Sequence, residues 1–258
     1  MTAVLRAEWT KLRTVRGPFW LLLGIVALTG LTGAAVSGAV VCRTAGCDLD
    51  PARVSLAGVQ LGQAVVAVLA VLLVGGEYST GMMTTTLTAV PHRTRVLIAK
   101  ATVLTGPLLA AAALAVAASL LAGRRLLPGR GLTAQHGYTA VLPLDATTAR
   151  VFAGSILYLA LIALLSLGVA ALVRDSATAT GVVLALLYLA PVLAQVINNP
   201  HWQRRINQFA PSNAGLAVQA TLHIHTLPIA PWAGLGVLAL WAAGALLCGA
   251  AALTLRDA

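Results

Sequence analysis

Six long apolar runs divide this chain, and short polar segments separate them. The runs cover about residues 18–41, 55–75, 96–122, 151–173, 177–197 and 232–255. About 20 consecutive apolar residues suffice for a helix to cross a bilayer. Lipid offers no partner for open backbone groups, so runs of this length predict helices. A barrel would instead show alternating segments of about ten residues, a pattern not found here. The prediction is an all-α polytopic membrane protein with six transmembrane helices in a single domain spanning 1–258.

The polar segments carry their own signals. Before the first run, Val4, Leu5, Trp9, Leu12 and Val15 fall roughly on one helical face, with Arg6, Thr10 and Arg13 opposite. This pattern predicts an amphipathic helix over about 1–17 lying in the membrane interface, with Gly17-Pro18 turning the chain into the bilayer. After the second run, Gly75-Gly76 is a candidate helix stop. Ser79 or Thr80 then caps a new short helix, which runs to Leu87 or Ala89 and is ended by Pro91. This predicts an elbow that presents Glu77, Tyr78, Gly81, Met82, Met83 and a row of Thr. Adjacent Met beside an aromatic suits an adaptable docking surface. Arg93, Arg95 and Lys100 would form the basic rim of the third span.

Within the spans, Gly30, Ala34 and Gly38 are spaced by four, as are Gly58 and Gly62. Small residues at this spacing let helices approach closely, either inside one bundle or between two subunits. Gln60, Gln63, Gln195 and Asn198 are amides at or near membrane depth. They are candidates for a substrate path, with interhelical hydrogen bonding as the alternative.

Composition agrees with the pattern. Of 258 residues, 59% are hydrophobic and 9% charged, against about 25% charged in a soluble domain. The mean hydropathy is +0.90. The net charge of +10 raises the question of nucleic acid. The basic residues lie in short clusters between spans, with no folded basic domain, so lipid contact and topology explain them better.

Six spans place both termini on one side. Basic residues divide nine to eight between that side and the other, so their total does not choose an orientation. The first span is more informative. Four basic residues precede it, and two follow it beside Asp48 and Asp50, which favours a cytoplasmic N-terminus. The first run is also too long for a signal-peptide core. Cys42 and Cys47 in "CRTAGC" are close enough for a loop disulfide on an oxidising side, or are two unpaired thiols. Cys248 reads as a buried small hydrophobe.

The chemistry is sparse. The chain contains neither a P-loop nor an H-E-x-x-H motif. His201, His223 and His225 lack carboxylate company and read as loop residues rather than a metal site. The seven acids all lie near span ends or in loops. That argues against intramembrane proteolysis and against a carrier using a buried carboxylate. No catalytic residue is assigned.

Three stretches carry a resemblance. "EWTKLRTVR" before the first span, "GEYSTGMMTTTLTAVPHRTRVLIAKA" after the second and "FAPSNAG" before the sixth resemble the actinobacterial ABC-2 type transporter permeases. The middle stretch is the most specific, with Glu77-Tyr78, Gly81, Leu87, Pro91, Arg93, Leu97 and Lys100 where the family pattern has them. The resemblance implies a permease subunit of an ATP-driven exporter in the cytoplasmic membrane, with both termini cytoplasmic. It implies that this chain binds no cofactor, that ATP and Mg sit on a separate ATP-binding subunit, and that a second permease subunit completes the pore. It also implies that the segment from Glu77 through Arg93 is a coupling helix, with Ser79 and Thr80 in it, and that Glu8, Trp9, Lys11 and Arg13 belong to a connecting helix. The rival readings are a membrane enzyme acting on lipid and a non-transporting scaffold.

Overall fold

The computed structural model describes residues 2–42, 49–83, 85, 93–133, 145–197 and 199–255. The described residues form an all-α polytopic bundle, and six helices are long and apolar enough to cross a membrane. Helix α1 (Thr2–Thr14) is followed by α2 (Arg16–Ala39), short α3 (Pro51–Ser55), α4 (Val59–Ser79), α5 (Arg93–Leu126), α6 (Ala146–Val173) and α7 (Ser176–Val196). Two short helices, α8 (Pro200–Phe209) and α9 (Pro211–Leu216), precede α10 (Pro231–Leu255). The six spans are α2, α4, α5, α6, α7 and α10. Cys47, Pro91, Asn198 and the expected end of the short helix at Leu87 or Ala89 lie outside the described residues.

Capping chemistry explains where several helices begin. Hydropathy placed the second span at 55–75, yet Asp50 accepts from the amides of Ala52 and Arg53 and starts α3 as a separate turn, so α4 begins and ends four residues later. Asp145 accepts from the Thr148 amide at 2.8 Å and starts α6 before the apolar run does. Asp175 does the same for α7 through Thr178 at 2.7 Å. Just before it, Arg174 takes a left-handed conformation, φ 64°, and closes the tight α6–α7 turn. The chain breaks between α1 and α2 at Val15, which is extended. Gly17-Pro18, expected to make that turn, lies instead inside the first turn of α2. There a proline's missing N–H leaves nothing unsatisfied.

Helix α6 is the centre of the bundle. It is the most enclosed span and packs along α10 and α4, with α5 and α7 beside it. Its Tyr158, Leu159 and Ile162 are fully buried. Helix α2 packs on α5 and α4. Here the small residues settle inside one chain. A Cβ on Gly58 would lie 2.1 Å from the Thr29 carbonyl oxygen, and one on Gly62 would lie 2.1 Å from Thr29 Oγ1. The α2 side of that contact uses Gly33, whereas Gly38 has nothing within 4 Å. The outward faces of α2, α7 and α10 expose Phe19, Trp20, Leu31, Leu189, Leu240 and Leu247, as a lipid-facing surface should.

Polar ties fasten the two ends. At one end Asp50 gathers the Thr221 amide (2.6 Å), the Thr221 hydroxyl (2.6 Å) and the Leu222 amide (3.1 Å), and Arg150 donates to the Ala220 carbonyl. Cys42 lies at this end, its amide bonded to the Arg130 carbonyl, and is disulfide-bonded. Cys248, expected to be buried in the sixth span, is exposed there. At the opposite end Arg93 donates to the Leu253 carbonyl and Arg174 to the Ala252 carbonyl, both at 2.7 Å. These cations satisfy the last turn of α10, where the helix dipole favours positive charge.

Candidate functional site

The second end holds the densest charge in the described structure. Glu8 of α1, Glu77 of α4 and Lys100 of α5 are 3%, 8% and 1% exposed. Lys100 Nζ lies 2.8 Å from Glu8 Oε2 and 2.8 Å from Glu77 Oε1. Lys11 Nζ closes the set at 2.9 Å from Glu77 Oε1 and 3.2 Å from Glu8 Oε1. Among the described residues two acids and two bases alternate, so their charges balance. A buried charge is tolerated when it is paired in this way, whereas losing one partner leaves an uncompensated ion.

Each helix supplies its member for a local reason. In α1, Glu8 and Lys11 are three apart and share a face. That face turns toward the bundle, with Leu5 and Leu12 of the apolar stripe half-buried beside it. Trp9 is 48% exposed and lines a groove together with Leu5, Thr102 and Pro107. Arg13 is exposed to solvent. Partial burial on its own would lower the Lys11 pKa. The hydrogen bond and charge of Glu77, with Glu8 beside it, outweigh this and hold the ammonium above the ordinary value of 10.5.

The region after the second span departs from expectation. Gly75 and Gly76 do not stop the helix, since α4 continues through Glu77, Tyr78 and Ser79. Ser79 Oγ and Thr80 Oγ1 bond back to the Gly76 carbonyl at 3.0 and 2.9 Å, so neither caps a new helix. The stop comes at Gly81, whose φ of +71° is the left-handed conformation that ends helices. Glu77 is therefore inside the last turn of a span, not on an exposed elbow. Its carboxylate faces Lys100 because α4 and α5 meet there. Tyr78 is half-buried under the Arg174 guanidinium, 5.7 Å from its ring centroid and within cation–π range. Beyond Gly81, Met82, Met83 and Thr85 are helical. Met82 is 44% exposed, whereas Met83 is buried in the core.

Lys100 also departs from expectation. The sequence placed it on a basic rim with Arg93 and Arg95. Arg95 is exposed and Arg93 holds α10, but Lys100 is the pivot of the cluster. The available sign was its position in the α5 pattern. Val96, Leu97, Lys100, Val103 and Leu104 share one buried face, so a lysine there must meet acids.

The amides separate. Gln63 is 2% exposed and its carbonyl accepts from the Tyr158 hydroxyl, which is interhelical bonding rather than a path. Gln60 and Gln195 do converge, on one cavity at the opposite end.

Two oxygens near the cluster, Glu77 Oε2 and the Tyr78 hydroxyl, are buried without a hydrogen-bond partner among the described residues. Two comparisons with known proteins return nothing: no family model matches the chain, and no curated protein matches it.

Proposed function

We propose that this chain is the membrane-spanning permease subunit of an ATP-driven exporter of hydrophobic or amphipathic substrates in the cytoplasmic membrane. Its termini face the cytoplasm, and a separate ATP-binding subunit carries ATP and Mg. A second permease subunit shares the substrate route. The observation that supports this reading best is the Glu8–Lys11–Glu77–Lys100 cluster. It joins α1 and the adjoining ends of α4 and α5 through ionic contacts that no single helix could satisfy. Arg93, in the first turn of α5, extends the unit to the end of α10. A push on the segment between α4 and α5 would then move a connected set of helices rather than a loose loop, as coupling to an external motor requires.

The mechanical role divides by exposure. Exposed Ser79, Thr80 and Met82 form the contact surface. Buried Glu77 transmits the displacement to Lys100 and so to α1 and α5. Energy comes from differential binding of the motor to two arrangements of the permease, since a partner shifts an equilibrium only by its differential affinity.

The test uses the full chain co-expressed with a P-loop ATPase from a neighbouring reading frame, the partner this reading requires, and reconstituted in vesicles. Met82→Glu should reduce co-purification of the ATPase and lower ATP-dependent efflux of a fluorescent amphiphile, with the thermal midpoint of the permease unchanged. Equal efflux and equal co-purification for Met82→Glu would overturn the coupling assignment.

A further inference from the structure

At the end of the bundle away from the charge cluster, a cavity of about 610 Å³ opens between α3, the start of α4, the end of α7, and α8 and α9. Its volume is typical of a ligand site, and its lining is unusual for this chain. Six carboxamide residues line it, Gln60, Gln195, Gln203, Asn207, Asn213 and Gln219, with Arg53 the one charged residue and no acid among the described residues. The remaining wall is aliphatic.

Some of these amides are held in place by the fold. Gln203 donates to the Ile197 carbonyl at 2.7 Å, and Asn213 donates to Asn207 Oδ1 at 2.6 Å. Gln219 is only 4% exposed and donates to Ser155 Oγ at 3.2 Å. No donor among the described residues meets its carbonyl oxygen. The side chains of Gln60 and Gln195 make no hydrogen bond among the described residues. The cavity thus offers both donors and acceptors on a rigid frame. Carboxamides in that arrangement match hydroxyl groups, which also donate and accept, better than they match an ion.

Helix α8 forms the wall of this cavity and is amphipathic in an inverted sense. Gln203 and Asn207, four apart, line the cavity. Trp202 and Phe209, seven apart, expose 59% and 61% of their surface. Arg204 and Arg205 are exposed as well. Trp241 of α10 donates to the Phe209 carbonyl at 3.0 Å and pins the helix end to a span. An exposed Trp and Phe flanked by arginines fit the boundary between acyl chains and headgroups. The helix therefore separates lipid on one side from a hydrogen-bonding cavity on the other.

We propose that this cavity binds the uncharged, hydroxyl-rich head group of a membrane amphiphile whose chains remain in the bilayer beside α8. The proposal rests on the permease reading for its purpose, since it names the class of cargo or regulatory lipid. Binding itself needs no ATPase, so the two readings fail separately.

The experiment places the full chain in phosphatidylcholine nanodiscs containing monoglucosyl diacylglycerol and measures retained lipid by native mass spectrometry. Diacylglycerol, phosphatidylglycerol and soluble methyl glucoside serve as comparison probes. The expected result is retention of the glycolipid at least ~5-fold above diacylglycerol, falling by about that factor in Gln60→Leu/Gln195→Leu, a loss on the order of 1 kcal/mol. Both positions are exposed, so this variant folds, and an unchanged thermal midpoint verifies it. Equal retention of diacylglycerol, or no loss in the double variant, would overturn the proposal. A preference for phosphatidylglycerol would overturn it in favour of an anion site at Arg53. Competition by methyl glucoside at matched concentration would show a soluble-sugar site and would refute the amphiphile.

Discussion

Lys100 and Glu8, 92 residues apart in sequence, meet at 2.8 Å with almost no exposure to solvent. Their contact fixes an interfacial helix to a membrane span at one depth and one rotation. A hydrophobic contact at the same place would tolerate sliding, whereas a buried ion pair does not, because misalignment leaves both charges unpaired.

Lys100→Met should therefore be among the most damaging single changes in the chain. Among the described residues it leaves Glu8 and Glu77 sharing Lys11. Breaking a buried pair from one side costs about 3–5 kcal/mol. Thermal unfolding in detergent should show a large fall in midpoint, with part of it recovered in Lys100→Met/Glu8→Met, where one neutral pair remains. A double variant no better than the single would show that the cluster does not act as a charge-balanced unit.

The α2–α4 contact makes a steric prediction. Gly62→Val crowds Thr29 Oγ1, which lies 2.1 Å from where the new Cβ would sit. Thr29 must turn its hydroxyl away or the helices must separate, at a cost of about 1–3 kcal/mol. Gly38→Ala meets open space and should leave the unfolding midpoint unchanged. Comparing the two by thermal unfolding separates close packing from mere helix propensity.

Asp50 holds α3 and the 221–222 turn together with one carboxylate. Asp50→Ala removes all of its acceptor contacts, and hydrogen bonds to a charged group are worth about 1.5–3 kcal/mol each. Amide hydrogen exchange at Thr221 and Leu222 should accelerate by an order of magnitude or more, with little change in α6. Unaltered protection there would mean that packing, not Asp50, positions the turn.

Lys11 carries a pH dependence whose sign is set by its raised pKa. Its contribution is complete below the ordinary lysine value of 10.5 and is lost as pH rises through the higher folded value. The stability difference between wild type and Lys11→Met should thus be constant through neutral pH and shrink only in strong alkali. Unfolding midpoints of both proteins across that range check it. A difference that vanishes between pH 6 and about 9 would contradict the ion pairing.

Much of this architecture was legible from the chain alone. A run of twenty apolar residues has one stable state in lipid, so the six spans follow from composition and length without tertiary information. The tight turn at Arg174-Asp175 is local in the same way, because Asp175 caps the helix that directly follows it. Rotation and depth were not legible. Trp9 and Glu8 are adjacent, and the interfacial pattern of α1 did not say which of its polar groups would be buried against the bundle. The choice fell to Glu8 because Lys100 waits on α5, a partner that local pattern does not reveal. Glu77 stayed inside α4 rather than opening an elbow because pairing with Lys100 and Lys11 stabilises one more helical turn past Gly75-Gly76. Gln60, Gln63 and Gln195 looked alike as isolated amides in apolar runs. Three-dimensional packing separated them, turning Gln63 onto Tyr158 and leaving the other two to a cavity. Long-range partners decide which polar groups are satisfied internally, and hydropathy holds no record of them.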